Sequence, residues 1–284
     1  MRTAFVLSGG GSLGAVQVGM LRALADLEGR PDLLVGTSAG ALNAGYLAGH
    51  GTDRASVDNL AEVWQRLRTL ELFAPDLLRV GLALAGREDS LFSDRALRRL
   101  IKRHLKFTDL KDAPIPLWVV ATDLLTGAEV HRNHGPALEL IAASSAIPGI
   151  YPPVHLDGEV LVDGSLANDS AISVALNNGA ERVYVLPTGY PCALRKAPRS
   201  AAGVAVQGAS VLAHQRMHRD VTLYADKCDL IVIPPPCPLS VSPLDFGHGE
   251  ELIDEAFTAA TKWLAKDGGH RKDPARWLAA HKHH

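Results

Sequence analysis

Leu33-Leu34-Val35-Gly36-Thr37-Ser38-Ala39-Gly40-Ala41 is the stretch from which the fold is read. Leu33–Val35 is a short apolar run of the kind that forms a buried strand, Gly36–Gly40 is a tight turn, and Ala41–Ala48 begins a helix stopped near Gly49 and Gly51. Gly36-Thr37-Ser38-Ala39-Gly40 satisfies G-x-S-x-G. A serine that must project its hydroxyl from a sheet edge needs a sharp, strained turn. Glycines two residues away on each side let strand and helix approach closely. The N-terminus of the following helix also favours negative charge developing nearby. A plain glycine-rich turn with an N-cap serine spells the same letters, so the strand–turn–helix setting carries the weight.

Outward from this turn, apolar strands alternate with helices. Thr3–Leu7 reads as a buried strand, followed by the loop Ser8–Gly14 and a helix from Ala15 to Leu27, closed by Gly29. Residues 52–111 read as helical, interrupted at Pro75 and Gly86, and lie where a lid over a site would sit. Leu117–Thr122 and Ala128–His131 form a hairpin across Thr126-Gly127. A short helix at 136–147 precedes the extended Tyr151–Pro153 and a strand at Glu159–Val162. Arg182–Leu186 and Leu230–Ile233 are further strands, separated by a long helix at 199–225, and a last helix runs from Gly249 to Lys266. This order predicts an α/β fold with a mainly parallel central sheet covered by helices on both sides. Residues 1–267 make one domain, and 268–284 a polar, histidine-rich tail, loosely held.

Ser8-Gly9-Gly10-Gly11-Ser12-Leu13-Gly14 also follows a strand and opens a helix. Gly9, Gly11 and Gly14 satisfy G-x-G-x-x-G, so a nucleotide-binding module is one reading. That reading expects an acidic residue at the end of the next strand, ~20 residues on. The next strand ends in Gly36-Thr37-Ser38 instead, and Asp32 stands at its wrong end. Three consecutive glycines suit a different task, offering backbone N–H groups to an oxyanion. Asp163-Gly164-Ser165 follows the strand Glu159–Val162 and places a carboxylate at a strand end, on the expected edge of the nucleophile; a bare turn is the plain alternative.

Together these pieces resemble the patatin-like phospholipase family, its bacterial members in particular. The resemblance spans roughly residues 3 to 190. It rests on Gly9-Gly10-Gly11 with Gly14, on Gly36–Gly40, on Ala142–Gly149 with Tyr151–Val154, and on Asp163-Gly164 followed by Gly179–Val185. It implies a three-layer fold and a Ser–Asp catalytic dyad of Ser38 and Asp163. It implies an oxyanion hole from the Gly9, Gly10 and Gly11 amides, and hydrolysis of lipid acyl esters, of the phospholipase A, lysophospholipase or esterase type, without metal or cofactor. Three positions depart from the family pattern. Leu13 stands for the usual Arg or Lys, Ser165 for Gly or Ala, and Asn168-Asp169-Ser170 for Asn-x-Pro.

A Ser-His-Asp triad is the competing mechanism, with His214, His218 or His248 as the base. His214 and His218 have the spacing of helical zinc ligands, but no Glu lies between them. Formal net charge is −2, too even for a nucleic-acid binder. The odd set Cys192, Cys228 and Cys237, with no signal-peptide pattern, points to reduced thiols in the cytoplasm. No run approaches the ~18 apolar residues of a membrane span. Arg95–Lys106 reads as a packed helix with a charged face, and offers a place for peripheral contact with a membrane surface. The expected partner is a lipid or acyl-ester substrate.

Overall fold

The side chains of strand β1 (Thr3–Leu7) decide how the molecule is layered. Ala4 and Val6 belong to one apolar cluster and Phe5 and Leu7 to another, and all four are buried. A strand apolar on both sides needs cover on both. The same division recurs on β2 (Leu33–Thr37), on β7 (Arg182–Leu186) and on β8 (Asp229–Val232). The helices Gly14–Ala25, Ala39–His50, Arg54–Arg66 and Gly249–Asp267 pack on one side; Ile172–Asn177 and Ala201–Tyr224 pack on the other. The result is a three-layer α/β fold, as the alternation of apolar strands and helices predicts. The structure is a computed structural model and describes residues 1–26, 30–74, 76–190, 197–239, 241–267 and 273–279.

Five strands, in the order β8-β7-β1-β2-β3, run parallel, with β3 at Leu117–Asp123. Strand β4 (Glu129–Arg132) is the expected hairpin partner of β3. Strand β6 (Glu159–Asp163) is antiparallel to β3, and β5 (Val154–Leu156) is antiparallel to β6. The last register matters most. Residues 117–120 of β3 pair with β2 and residues 121–123 with β6, while β4 spans 119–122. Since β4 overlaps both, it lies along one edge of β3, and β2 and β6 share the other, placed end to end. They run toward each other, so Thr37 opposite Val120 and Asp163 opposite Ala121 meet at the joint.

Several sequence expectations change. Strand β5 is absent from the sequence reading, because the two prolines before it pointed only to extended chain; Asp157-Gly158, both at positive φ, turn it back onto β6. Residues 52–111 are helical at Arg54–Arg66, Thr69–Leu72, Leu77–Leu84 and Arg95–His104. Between the last two, Leu91 and Phe92 instead donate backbone hydrogen bonds to Gly149 and Ile150. The tail is not loose throughout: Pro274–Leu278 forms a 3-10 turn that buries Ala275 and Leu278 against Ala201–Tyr224 and β8. The apolar residues of Ala275–Leu278 drive that docking, and the flanking polar residues masked it in the sequence. Leu27, Gly29, Pro75, Cys192, Gly268, His281, His283 and His284 lie outside the described residues.

Candidate active site

The turn after β2 is as sharp as its glycines allow. A Cβ on Gly40 would come 2.0 Å from the Leu7 carbonyl oxygen, and one on Gly36 would come 2.6 Å from the Ala41 Cα. Between them Ser38 adopts φ 53°, ψ −122°, a conformation costing an L-residue about 1–3 kcal/mol. Neighbours hold it there. The Ser38 N–H donates to Ser144 Oγ at 2.8 Å, and Ser144 in turn donates to the Val120 carbonyl at 2.5 Å. Ser145 Oγ donates to the Ser38 carbonyl at 3.2 Å. The sequence reading noted Ser144 and Ser145 within a family block and gave them no role. Their signal was two consecutive small polar residues closing an apolar helix, and they clamp both sides of the strained peptide. Gly40→Ala is expected to lower stability by several kcal/mol, since the clash is with the backbone of Leu7 and Ser8 at the end of β1, which cannot swing aside as a side chain could. Urea denaturation checks it; a native midpoint would show that strand and helix can separate freely.

Asp163 closes the joint from the other side. Ser38 Oγ donates to Asp163 Oδ2 at 2.6 Å, and the Ser165 N–H donates to Oδ1 at 2.9 Å. Both side chains are nearly inaccessible, Ser38 at 4% and Asp163 at 5% exposure. Burial pushes the Asp163 carboxyl up to about 6; the hydrogen bonds from Ser38 and Ser165 pull it down, and the nearby Asp169 carboxylate adds a smaller upward push. The sequence argument put Asp163 near Ser38 by a rule for parallel strands. The proximity is found, but β6 is antiparallel, and head-on strand ends make the contact. Gly164 is required at the joint, since a Cβ there would come 2.2 Å from the Val120 carbonyl oxygen.

The glycine loop faces the same point, with one correction. The Gly9 N–H donates to Asp169 Oδ1 at 2.8 Å and is therefore occupied. Among the described residues the Gly10 and Gly11 N–H groups have no acceptor, which leaves two of the three expected donors open. Asp169 was overlooked as a site residue because it appeared only as a departure from Asn-x-Pro. Burial raises its pKa, and the Ser165 hydroxyl is in reach of both carboxylates. With Leu13 in place of a basic residue, the loop is held by other groups. Thr188 Oγ1 donates to the Gly9 carbonyl at 2.6 Å, and Ser12 N–H to the Pro243 carbonyl at 2.8 Å. Gln17, fully buried on the helix Gly14–Ala25, donates to the Ser8 and Leu186 carbonyls at 2.8 and 2.9 Å. Asn43 donates to Gln17 Oε1 and accepts from Trp64 Nε1, so the network is satisfied through three side chains.

The competing readings find less. His248 Nδ1 faces Glu251 at 3.0 Å on the surface. His214 Nε2 faces the Leu278 carbonyl at 2.8 Å and stacks edge-on against Tyr190. His218 is one turn further along the same helix. The hydrogen bonds to the Asp163 carboxylate come from Ser38 and Ser165. Two buried carboxylates beside the glycine loop are unfavourable company for a nucleotide pyrophosphate. On the basic helix, Leu97 and Ile101 are buried and Arg98 pairs with Asp94 and Glu139, so that cation is committed to the fold.

Two clefts meet at Ser38. One, with about 1100 Å³ of empty space opening to solvent, holds Gly9, Gly10, Asp163 and Asp169 on one wall, with Val206 and Met217 among its apolar residues. The other, about 460 Å³, is lined by Leu72, Phe73, Leu97, Tyr151 and Phe246. Ser38, Gly11, Ile147 and Pro243 line both.

Comparison with known proteins matches the chain to a family. The patatin-like phospholipase model matches residues 5–176. The chain is 30% identical over 188 residues to patatin-like phospholipase domain-containing protein 7 of Rattus norvegicus, covering 66% of this chain and 13% of that protein. It is 28% identical over 190 residues to lysophospholipase NTE1 of Mycosarcoma maydis, covering 66% of this chain and 10% of that one. The chain thus corresponds to a small part of these longer relatives. Among solved structures, VipD from Legionella pneumophila aligns at 14% identity and a TM-score of 0.47, over 93% of this chain and 67% of that one.

Proposed function

The chain belongs to the patatin-like phospholipase family, and from that premise we propose that it is a serine hydrolase of lipid acyl esters, working through a Ser38–Asp163 dyad. The observation that carries the reading is the 2.6 Å hydrogen bond from Ser38 Oγ to Asp163 Oδ2 on a strained turn. Asp163 takes the hydroxyl proton as Ser38 Oγ attacks the acyl carbonyl. The Gly10 and Gly11 amides, with the N-terminus of Ala39–His50 behind Ser38, receive the oxyanion. Protonated Asp163 then passes the proton to the leaving alcohol, and the acyl group remains on Ser38. A water enters, gives its proton to Asp163, and releases the acid as Ser38 recovers its proton. A base titrating at about 6 is ionised at neutral pH yet close enough to it to return the proton readily.

The name of the fungal relative, a lysophospholipase, supports lipid esters as the substrate class. No helix among the described residues is long and apolar enough to cross a membrane. Leu77 and Leu78, 87% and 75% exposed, open the short helix Leu77–Leu84 and suit peripheral contact with a lipid surface. In this mechanism every proton and charge is handled by Ser38, Asp163 and backbone amides, so hydrolysis is expected to survive a chelator. A screen of lysophospholipid, phospholipid and p-nitrophenyl esters, with and without EDTA, tests this. Turnover of at least one class, unchanged by EDTA, is the expected result. Activity lost to EDTA and restored by Ca²⁺ would point to another mechanism.

A further inference from the structure

We infer that the ester binds divided about Ser38, its acyl chain in the apolar channel beneath Arg54–Arg66 and Arg95–His104 and its alcohol in the open cleft, with Leu42, Leu67 and Leu100 setting the acyl length; this rests on the hydrolase reading above. Asp163 decides the orientation. It lines the open cleft and not the channel, and the leaving oxygen must collect its proton from Asp163. The alcohol therefore departs on that side. Gly11 lies at the junction, where the oxyanion belongs. The remaining substituent of the tetrahedral carbon, the acyl chain, is left to point into the channel.

The channel's chemistry agrees. Its polar groups are engaged with the protein: Tyr151 Oη donates to the Leu72 carbonyl at 3.1 Å, and Ser145 to the Ser38 carbonyl. Past Ser38 and the Gly11 amide at its mouth, the described residues offer a head group little to pair with, and a polar moiety would enter at a cost. Beyond this first chamber lies a second of about 440 Å³, lined by Tyr46, Leu60, Val63, Trp64, Ile101 and Ile141. On its wall Trp64 donates to Asn43 Oδ1 at 2.7 Å, and the Tyr46 ring is stacked on His50 at 4.0 Å between centroids, so the chamber is mainly apolar with Tyr46 and His104 at its margin. Leu42, Leu67 and Leu100 line both chambers and form the wall between them. From Ser38 to Tyr46 along the helix is two turns, about 12 Å. That distance holds roughly ten methylenes at ordinary carbon–carbon bond lengths. Rotation of the three leucines joins the chambers; bulk at any of them shortens the space.

A p-nitrophenyl ester series from butyrate to palmitate reads the wall directly. Leu100→Ala is expected to raise kcat/KM for long chains relative to butyrate by about tenfold, as two further methylenes become buried. Leu100→Trp is expected to reverse the order in favour of short chains. Because either variant can disturb the fold, each is first titrated with a fluorophosphonate, and rates are expressed per labelled site. Leu42→Phe supplies a second obstruction, from the helix Ala39–His50. Val206→Trp narrows the open cleft and is expected to discriminate against bulky alcohols while leaving the chain-length order alone. An unchanged chain-length order in Leu100→Ala, Leu100→Trp and Leu42→Phe overturns the assignment, as does a chain-length shift produced by Val206→Trp alone. Absence of labelling in the native protein would instead remove the hydrolase reading beneath it.

Discussion

Ser38→Ala is expected to reduce ester hydrolysis to background, a loss of about 10⁴–10⁶ in kcat by analogy with nucleophile deletions in serine hydrolases. The fold should persist. Alanine meets the same strained angles as serine, and the clamp from Ser144 and Ser145 grips backbone atoms that the substitution leaves in place. What is lost is the donor to Asp163, worth about 1–2 kcal/mol at a buried acceptor. Steady-state kinetics on aryl and lipid esters, with thermal denaturation alongside, measure both effects. Retained turnover in a clean preparation would remove Ser38 from the chemistry.

Asp163→Asn should cost activity and spare, or raise, stability. The substitution keeps the shape but removes the base, so a fall of about 10²–10⁴ in kcat is expected. The stability effect has the opposite sign. The Asp163 carboxyl titrates at about 6 in the folded protein, above the ~3.9 of an unfolded chain, because burial disfavours its charge. Between those values the folded state binds more protons than the unfolded one, so stability falls as pH rises from about 4 to 6. Above pH 6 the penalty is fully present, on the order of 3 kcal/mol for a two-unit shift. Asparagine carries no such penalty, though it returns part of the gain through weaker hydrogen bonds from Ser38 and Ser165. At pH 8 the variant is expected to melt at or above the native temperature, with the difference closing near pH 4. A carboxylate present only to hold the fold would give the reverse, a clear loss of stability at pH 8. The same shift governs rate: native kcat/KM should fall as pH drops through about 6, when Asp163 becomes protonated and can no longer accept the serine proton. That lies close to the histidine range, so the lower acid limit expected of an unperturbed aspartate does not hold here. Mutation, not pH alone, separates the mechanisms.

The sequence was most legible where a single local motif determines the structure. Gly36 and Gly40 announce the turn because their missing Cβ atoms are what allow helix against strand, and β1 announces two-sided burial by its unbroken apolar run. Asp163 was placed beside Ser38 by a faulty route. Strand direction is a long-range property, and nothing within Glu159–Val162 records that it lies antiparallel on β3, end to end with β2 along the same edge. The roles of Ser144, Ser145 and Thr188 depend on which backbone atoms the fold brings beside them, so residue type alone could not assign them. Gly9 was legible as a glycine and illegible as a donor, since its N–H is spent on Asp169, 160 residues away. Gln17 could have been noticed, as a polar residue in the middle of an apolar helix face needs a buried partner.

The most direct test of the account is the rate and position of covalent labelling by a fluorophosphonate, followed by intact mass and peptide mapping. Native protein is predicted to take one label, on Ser38, and Asp163→Asn to label at least about 100-fold more slowly, in line with loss of a general base. His218→Ala and His248→Ala are predicted to label at the native rate. A label on any other residue, or native-rate labelling in Asp163→Asn with loss in a histidine variant, would contradict a nucleophile activated by Asp163.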